Sequence, residues 1–519
     1  MIQNIDIIIV LIYFVVILFI GLWAAQKSKT SDDLFLGGRT FGWGLIGLSL
    51  FASNVSGTTI IGLFGASYHT GIVQSSYEWM SGLSLIIAAL IFIPLYLKSK
   101  ITTIPEFLEL RYDRRSRLFF SFVTIFISLI VDTAGSLYAG AILLNAIIPT
   151  LPLWQTTLFL AGVAGVYTAW GGLKAVVITD AIQAIVLIVG CSVLTYLLYE
   201  ELDFSWSNVV QNAPEEHFSL IRPADDDAMP WVGLIFGVPI LGFWYWCTNQ
   251  YIMQRVLGAR SISHARWGVM LAGFLKIIPV FVMVLPGIMA ISLFPELSNP
   301  DSVFPTAVMN VLPVGFVGLV LAGFISAILS SVDSTLNSAS TLIVLDFIQT
   351  KNRVLTERQK TKYSRIATII LVVFAAFWAP QITNFGGLWL YLQQIFAIVV
   401  PPIVVIFFVG IFYKKGNGDG AFWTLILGTL AGTSLFLLSL INIWTLHFTV
   451  NVGVMVVFST LIFIMFSQIS VQNKPENIKM LLYKPDLMLP TQPYPWYKDY
   501  RFYSVLMMLA MLAILIVFW

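Results

Sequence analysis

Ala52-Ser53-Asn54-Val55-Ser56-Gly57-Thr58-Thr59 is the stretch whose reading decides the fold. It lies inside an apolar run, 41–66, that is long enough to span a hydrocarbon core, yet most of its side chains are small or polar. Glycine weakens a helix by about 1 kcal/mol against alanine, and Gly62 and Gly65 follow Gly57. Irregular backbone at membrane depth is tolerated only where it lines a cavity. A broken membrane helix is therefore expected here. The seventh apolar run carries a second set of breakers, Gly233, Gly237, Pro239 and Gly242, before Phe243-Trp244-Tyr245-Trp246. Two interrupted helices five elements apart predict inverted repeats with a binding site near the midplane. Glycine-rich packing of ordinary membrane helices is the competing explanation.

Composition agrees with a membrane protein. Of 519 residues 58% are hydrophobic and only 10% charged, with mean hydropathy +0.89. Soluble domains carry about 25% charge, so a globular soluble enzyme and a disordered chain are both excluded. A net charge of +2 without a basic run gives no footprint for nucleic acid. Cys191 and Cys247 both sit in apolar stretches, and His69, His217, His264 and His447 are scattered, so neither a disulfide framework nor a metal cluster is expected. Met1–Asp6 lacks the basic start of a secretory signal, and the apolar run to Ala25 reads as a first span.

Fourteen apolar runs qualify as spans, near 5–26, 41–66, 76–97, 118–148, 153–170, 176–199, 230–250, 268–294, 312–346, 366–384, 388–412, 421–441, 448–468 and 502–519. With that count, all but Arg222 and Lys276 of the 28 lysines and arginines fall in loops on one face. Cytoplasmic loops hold such residues preferentially, so both termini are expected outside the cytoplasm and the acidic loop 201–229 is expected external. Missing or inventing one helix would scramble this segregation. The predicted layout is a first span and loop (1–40), a first repeat (41–200, spans 2–6), the external loop (201–229), a second repeat (230–413, spans 7–11) and three peripheral helices (414–519). The fold class is thus all-α and multi-pass, in the membrane of the cell, with no soluble domain.

Five charges fall inside the predicted spans, clear of the two residues at either end: Glu78, Asp132, Asp180, Lys276 and Asp333. Each costs roughly 2.5–3.5 kcal/mol at a helix centre. Ion pairs between packed helices are one account; a polar pathway explains all five together. In the ninth span, Ala327, Ser330, Ser331, Ser334 and Ser338 share a helix face. A hard monovalent cation wants several oxygen ligands, and hydroxyls with carbonyls freed by an unwound helix supply them. A small-residue packing face with serines bonded to their own backbone is the alternative. Gly42-Trp43-Gly44-Leu45-Ile46-Gly47 matches a dinucleotide fingerprint, but no strand precedes it, and no HExxH, P-loop or GxSxG is present.

Five separated motifs in order now carry a resemblance. They are Ser76-Tyr77-Glu78-Trp79-Met80-Ser81; Ile104-Pro105-Glu106-Phe107; Gly171-Gly172-Leu173-Lys174-Ala175-Val176 through Thr179-Asp180; Trp244 to Gln250 through Gln254-Arg255; and Ser330-Ser331 with Leu336-Asn337-Ser338. Along nearly its whole length the chain resembles the sodium:solute symporter family, closest to its sodium/sugar branch. The resemblance implies a five-plus-five inverted-repeat core and Na⁺ as the coupling ion. It implies a first Na⁺ site on carbonyls of Ala52, Val55 and Ala327 and hydroxyls of Ser330 and Ser331. A second site would use Asp180, Ser330, Asp333 and Ser334. The sugar would meet Glu78, Ser81, Lys276 and Gln393, with Tyr77 beside them, Tyr245 as inner gate, Trp246 next to it and Asn54 bracing the gate. Thr59 and Gly242 depart from the side chains that sugar carriers often have at those positions.

These readings together predict a Na⁺-coupled symporter, not an enzyme, importing a small polar solute such as a monosaccharide by alternating access. The rivals are the same scaffold carrying an inositol, sialic acid, carboxylate or vitamin, and a membrane sensor built on it. No obligate protein partner is called for beyond the lipid bilayer.

Overall fold

The computed structural model describes residues 3–25, 35–147, 150–349, 354–470, 480–489 and 495–519. Within them every regular element is helical, and the only β pairing is two isolated bridges. Among the described residues eleven helices are long and apolar enough to cross a membrane, and a bent pair makes one more span. The first span forms as Asn4–Ala25. The expected fifth and sixth spans fall within one helix, Leu153–Glu200, of which Leu173–Glu200 is by itself long and apolar enough to cross a membrane. The expected cytoplasmic residues Lys27, Lys29, Lys351, Arg353, Lys474 and Lys479 lie outside the described residues.

The predicted break in the second span is present. Trp43–Asn54 and Gly57–Thr70 meet at 57°, with Val55 and Ser56 outside helical geometry between them. The Ser56 amide turns to the Asn54 carbonyl (2.9 Å) instead of Ala52, four residues back. The Thr59 amide donates to Ser56 Oγ (3.3 Å) instead of to the Val55 carbonyl. Ala52 and Val55 thus both lose the donor that a continuous helix would give them. Gly57 is what lets the break pack. A Cβ there would stand 2.7 Å from Ile328 Cγ1, on the helix Phe316–Leu342.

The seventh span breaks later than its glycines predict. Gly237 keeps helical torsions between Trp231–Phe236 and Val238–Phe243. The chain widens into a π turn over Trp244–Thr248 and leaves helical geometry only at Asn249 (φ −68°, ψ 128°). Asn249 Oδ1 then caps the next helix, Gln250–Leu257, by accepting from the Tyr251 amide at 3.2 Å. Glycine only makes a kink cheap; the asparagine, which satisfies an amide outside the helix, sets where it occurs. A second π turn, Ser128–Thr133, carries Asp132. Such turns recur at functional sites.

Four arginines assigned to aqueous loops are buried instead: Arg111, Arg222, Arg255 and Arg266. Arg111 donates to the carbonyls of Gly410, Tyr413 and Gly416, at the end of the span Leu388–Phe412 and in the loop that follows it. Arg266 holds the carbonyls of Ala89 and Leu487. Arg255 belongs to the centre of the molecule.

Candidate functional site

One central cavity collects polar and aromatic side chains from both broken spans and the helices around them. The bent span gives Ser53, Asn54, Ser56, Thr58 and Thr59. The third expected span gives Tyr77, Glu78 and Ser81, the fourth Asp132 and Ser136. The seventh gives Gly242, Trp244, Tyr245 and Trp246; the ninth gives Ser331 and Thr335; the eleventh gives Trp389 and Gln393. Of the residues expected to face a solute, Asn54, Thr59, Tyr77, Glu78, Ser81, Gly242, Tyr245, Trp246 and Gln393 all line it.

Lys276 lies one layer behind that wall, 1% exposed. Its Nζ donates to Glu78 Oε2 and to Asn54 Oδ1, and it sits 5.8 Å from the Trp246 ring. The ion pair compensates Glu78 at membrane depth, and leaves its second carboxylate oxygen and the Asn54 amide nitrogen available to hydroxyls. Ser81 Oγ is turned to the Glu78 carbonyl (2.5 Å). Gly242 serves packing: a Cβ would meet Ser84 Oγ at 3.0 Å.

Aromatic pairs close both ends. Tyr77 and Trp389 meet edge to face at 5.4 Å, and beyond them an outer cleft is lined by Gly62, His69, Gln74 and Asp227. Trp389 Nε1 donates to Gln74 Oε1 at 3.0 Å. At the other end the hydroxyls of Tyr245 and Tyr251 are bonded to each other, and Tyr245 is within reach of the Asn54 side chain. Rings of this kind exclude water while covering the apolar face of a polyol.

The five groups expected to hold the first Na⁺ fall in two segments that touch. The broken backbone at Ala52 and Val55 packs through Gly57 onto Ile328, one residue past Ala327 and two before Ser330. Ser331 Oγ donates to the Ala327 carbonyl (2.9 Å), and Ser331 lines the cavity beside Ser53. Two carbonyls deprived of helical donors, with serine hydroxyls on the helix packed against them, are the oxygen types that fit a hard monovalent cation.

Around Asp180 the arrangement is already closed. Its carboxylate accepts from Ser49 Oγ (2.6 Å), Ser53 Oγ (3.1 Å), Ser330 Oγ (2.5 Å) and Arg255 Nη2 (3.0 Å). The same guanidinium donates to Ser334 Oγ and Ser49 Oγ. Asp180, Ser330 and Ser334 do converge, and they converge on Arg255. Asp333, buried on the same helix, is engaged with another partner. Sequence reading missed Arg255 because it follows a polar run, Thr248-Asn249-Gln250, that reads as the end of a span. Asp132, Ser136 and Thr335 were not assigned to the site either. The spacing of Asp132 and Ser136, one helical turn, was their visible signal.

Comparison with known proteins agrees with this geometry. The sequence model described as the sodium:solute symporter family matches residues 34–428. The chain is 35% identical over 467 residues to human sodium/myo-inositol cotransporter 2, covering 82% of this chain and 69% of that one. It is 32% identical over 472 residues to mouse sodium/glucose cotransporter 1, covering 83% and 71%. The structure of a Na⁺-coupled sialic acid symporter in its substrate-bound outward-open state superposes with a TM-score of 0.79 at 21% identity, covering 90% of this chain and 98% of that one. Its fold is therefore shared. Together with the broken spans and their central cavity, these matches show that the chain belongs to the sodium:solute symporter family, a family of transporters that use Na⁺ as the coupling ion.

Proposed function

We propose that this symporter imports a small polyhydroxylated solute, a monosaccharide or an inositol, and that the solute lies in the cavity against Glu78, Asn54 and Gln393. The observation that carries this reading is the compensated Lys276–Glu78–Asn54 cluster in an aromatic-walled cavity. It offers donors and acceptors without a net positive charge. No lysine or arginine among the described residues lines the cavity, which disfavours a carboxylate solute. The relatives named for inositol and glucose support the same class.

In this reading Ala52, Val55 and Ala327 carbonyls and Ser330 and Ser331 hydroxyls hold Na⁺ between the bent span and the ninth helix. Na⁺ bound there ties the two halves of the core in the outward-open arrangement and raises affinity for the solute. Rocking of the repeats (41–200 against 230–413) then carries both inward. One charge falling through 100 mV supplies about 2.3 kcal/mol, roughly a 50-fold solute gradient. Both termini face away from the cytoplasm, and the protein works in the cell membrane.

The test is uptake of labelled glucose and myo-inositol into proteoliposomes with inward Na⁺ or inward K⁺. Faster accumulation of either under Na⁺ supports the reading; equal uptake under both cations overturns it.

A further inference from the structure

Of the carboxylates in the spans other than Asp132, Glu78 pairs with Lys276, Asp180 with Arg255 and Asp346 with Arg117, and Asp333 is engaged. Asp132 is different. It lines the central cavity, and its Oδ2 is shut from solvent without a hydrogen-bond partner among the described residues. We propose that Asp132 anchors a second monovalent cation, Na⁺, inside the cavity, beside the first ion and separate from the Asp180 cluster.

Three observations support it. First, hydroxyl-bearing residues line the same cavity as the carboxylate: Ser136 one turn along its own helix, and Ser331 and Thr335 one turn apart on the ninth helix. Second, the two helices meet at that level, because Thr133 Oγ1 and Thr335 Oγ1 are 2.9 Å apart. Third, the position around Asp180, Ser330 and Ser334 already holds a guanidinium, so a further cation there would meet a like charge. A neutral solute could bond to Asp132 but could not offset the cost of ionising a carboxylate there, whereas an alkali ion does both. Ser331 faces the cavity between the two positions, so occupancy of one site aligns a ligand of the other. Two ions would square the concentrating factor of one.

This inference rests on the Na⁺-coupled reading, and Na⁺ binding alone separates the two. ²²Na⁺ binding to the purified full-length protein in detergent is measured for wild type, Asp132→Asn and Ser331→Ala. Two ions per wild-type chain, one per Asp132→Asn chain and one per Ser331→Ala chain is the expected result. One ion in wild type that Asp132→Asn retains, or two ions in both, overturns the Asp132 site while leaving the symport reading intact. No Na⁺ bound by wild type overturns both. Should Asp132→Asn fail to elute as a single species, Ser136→Ala takes its place. The weaker of two Na⁺ affinities is then expected to fall several-fold, and two unchanged affinities overturn the proposal.

Discussion

The guanidinium of Arg255 donates to Asp180 Oδ2 at 3.0 Å, with both side chains no more than 1% exposed. It joins the short helix after the seventh-span break to the helix Leu153–Glu200 and, through Ser334, to the ninth helix. Arg255 thus bonds to two of the groups expected to meet a second cation, Asp180 and Ser334. Arg255→Ala should leave Asp180 uncompensated, and breaking a buried pair from one side costs about 3–5 kcal/mol. Thermal unfolding in detergent should show a lower midpoint that NaCl restores more than it raises the wild type, with KCl less effective. Identical salt responses in the two proteins would count against this role.

Lys276 and Glu78 form the second fully enclosed pair. Lys276→Met and Glu78→Gln should each destabilise strongly, because each strands the opposite charge. The double variant should regain most of the lost stability, yet it should not regain solute uptake. A double-mutant cycle on melting midpoints, run beside uptake, measures both. Additive destabilisation would mean that the pair does not act as a unit.

Gly57 sets how close the broken span comes to the ninth helix. Gly57→Ala puts a Cβ 2.7 Å from Ile328 Cγ1, and overpacking of that kind costs about 1–3 kcal/mol. The half-saturating Na⁺ concentration should rise several-fold. Gly44, on the same span, has open space around it, so Gly44→Ala serves as the control and should leave Na⁺ dependence unchanged.

His447 opens the helix Phe448–Ile469 by accepting from the Thr449 amide at Nδ1 (3.3 Å). Burial pushes its pKa down to about 4, although Asp226 and Asp227 pull the other way. A depressed imidazole favours the neutral form in the folded state. Its contribution is full above about pH 6.5, the unfolded value, and is lost as pH falls toward 4. The melting midpoint should decline across that window. His447→Asn, which keeps a capping acceptor, should decline less; parallel curves would assign the slope to other groups.

Which features were readable depended on their range along the chain. The bend at Val55-Ser56 follows from small and polar residues inside an apolar run, and that is local information. The bend of the seventh span was misplaced because glycine marks where a helix can yield, while Asn249 supplies the bond that makes it stop. Lys276 and Glu78 were flagged by cost alone, since either charge is intolerable in lipid unless met by another. That they meet each other, with Asn54 as a third member, needed the packing of three helices.

The amino-acid order by itself determined that this chain lives in a bilayer, that its second span is broken and that its ninth carries a row of hydroxyls. Hydropathy, helix propensity and side-chain spacing are sums over near neighbours, so no coordinates were required. Only the tertiary structure decided which buried ionisable groups are partnered: Arg255 turned inward to Asp180, and Asp132 lines the cavity with Oδ2 unpaired among the described residues. A charge in a membrane protein is compensated by whatever stands across the bundle, and residues 75 or more positions apart become neighbours only when the helices pack.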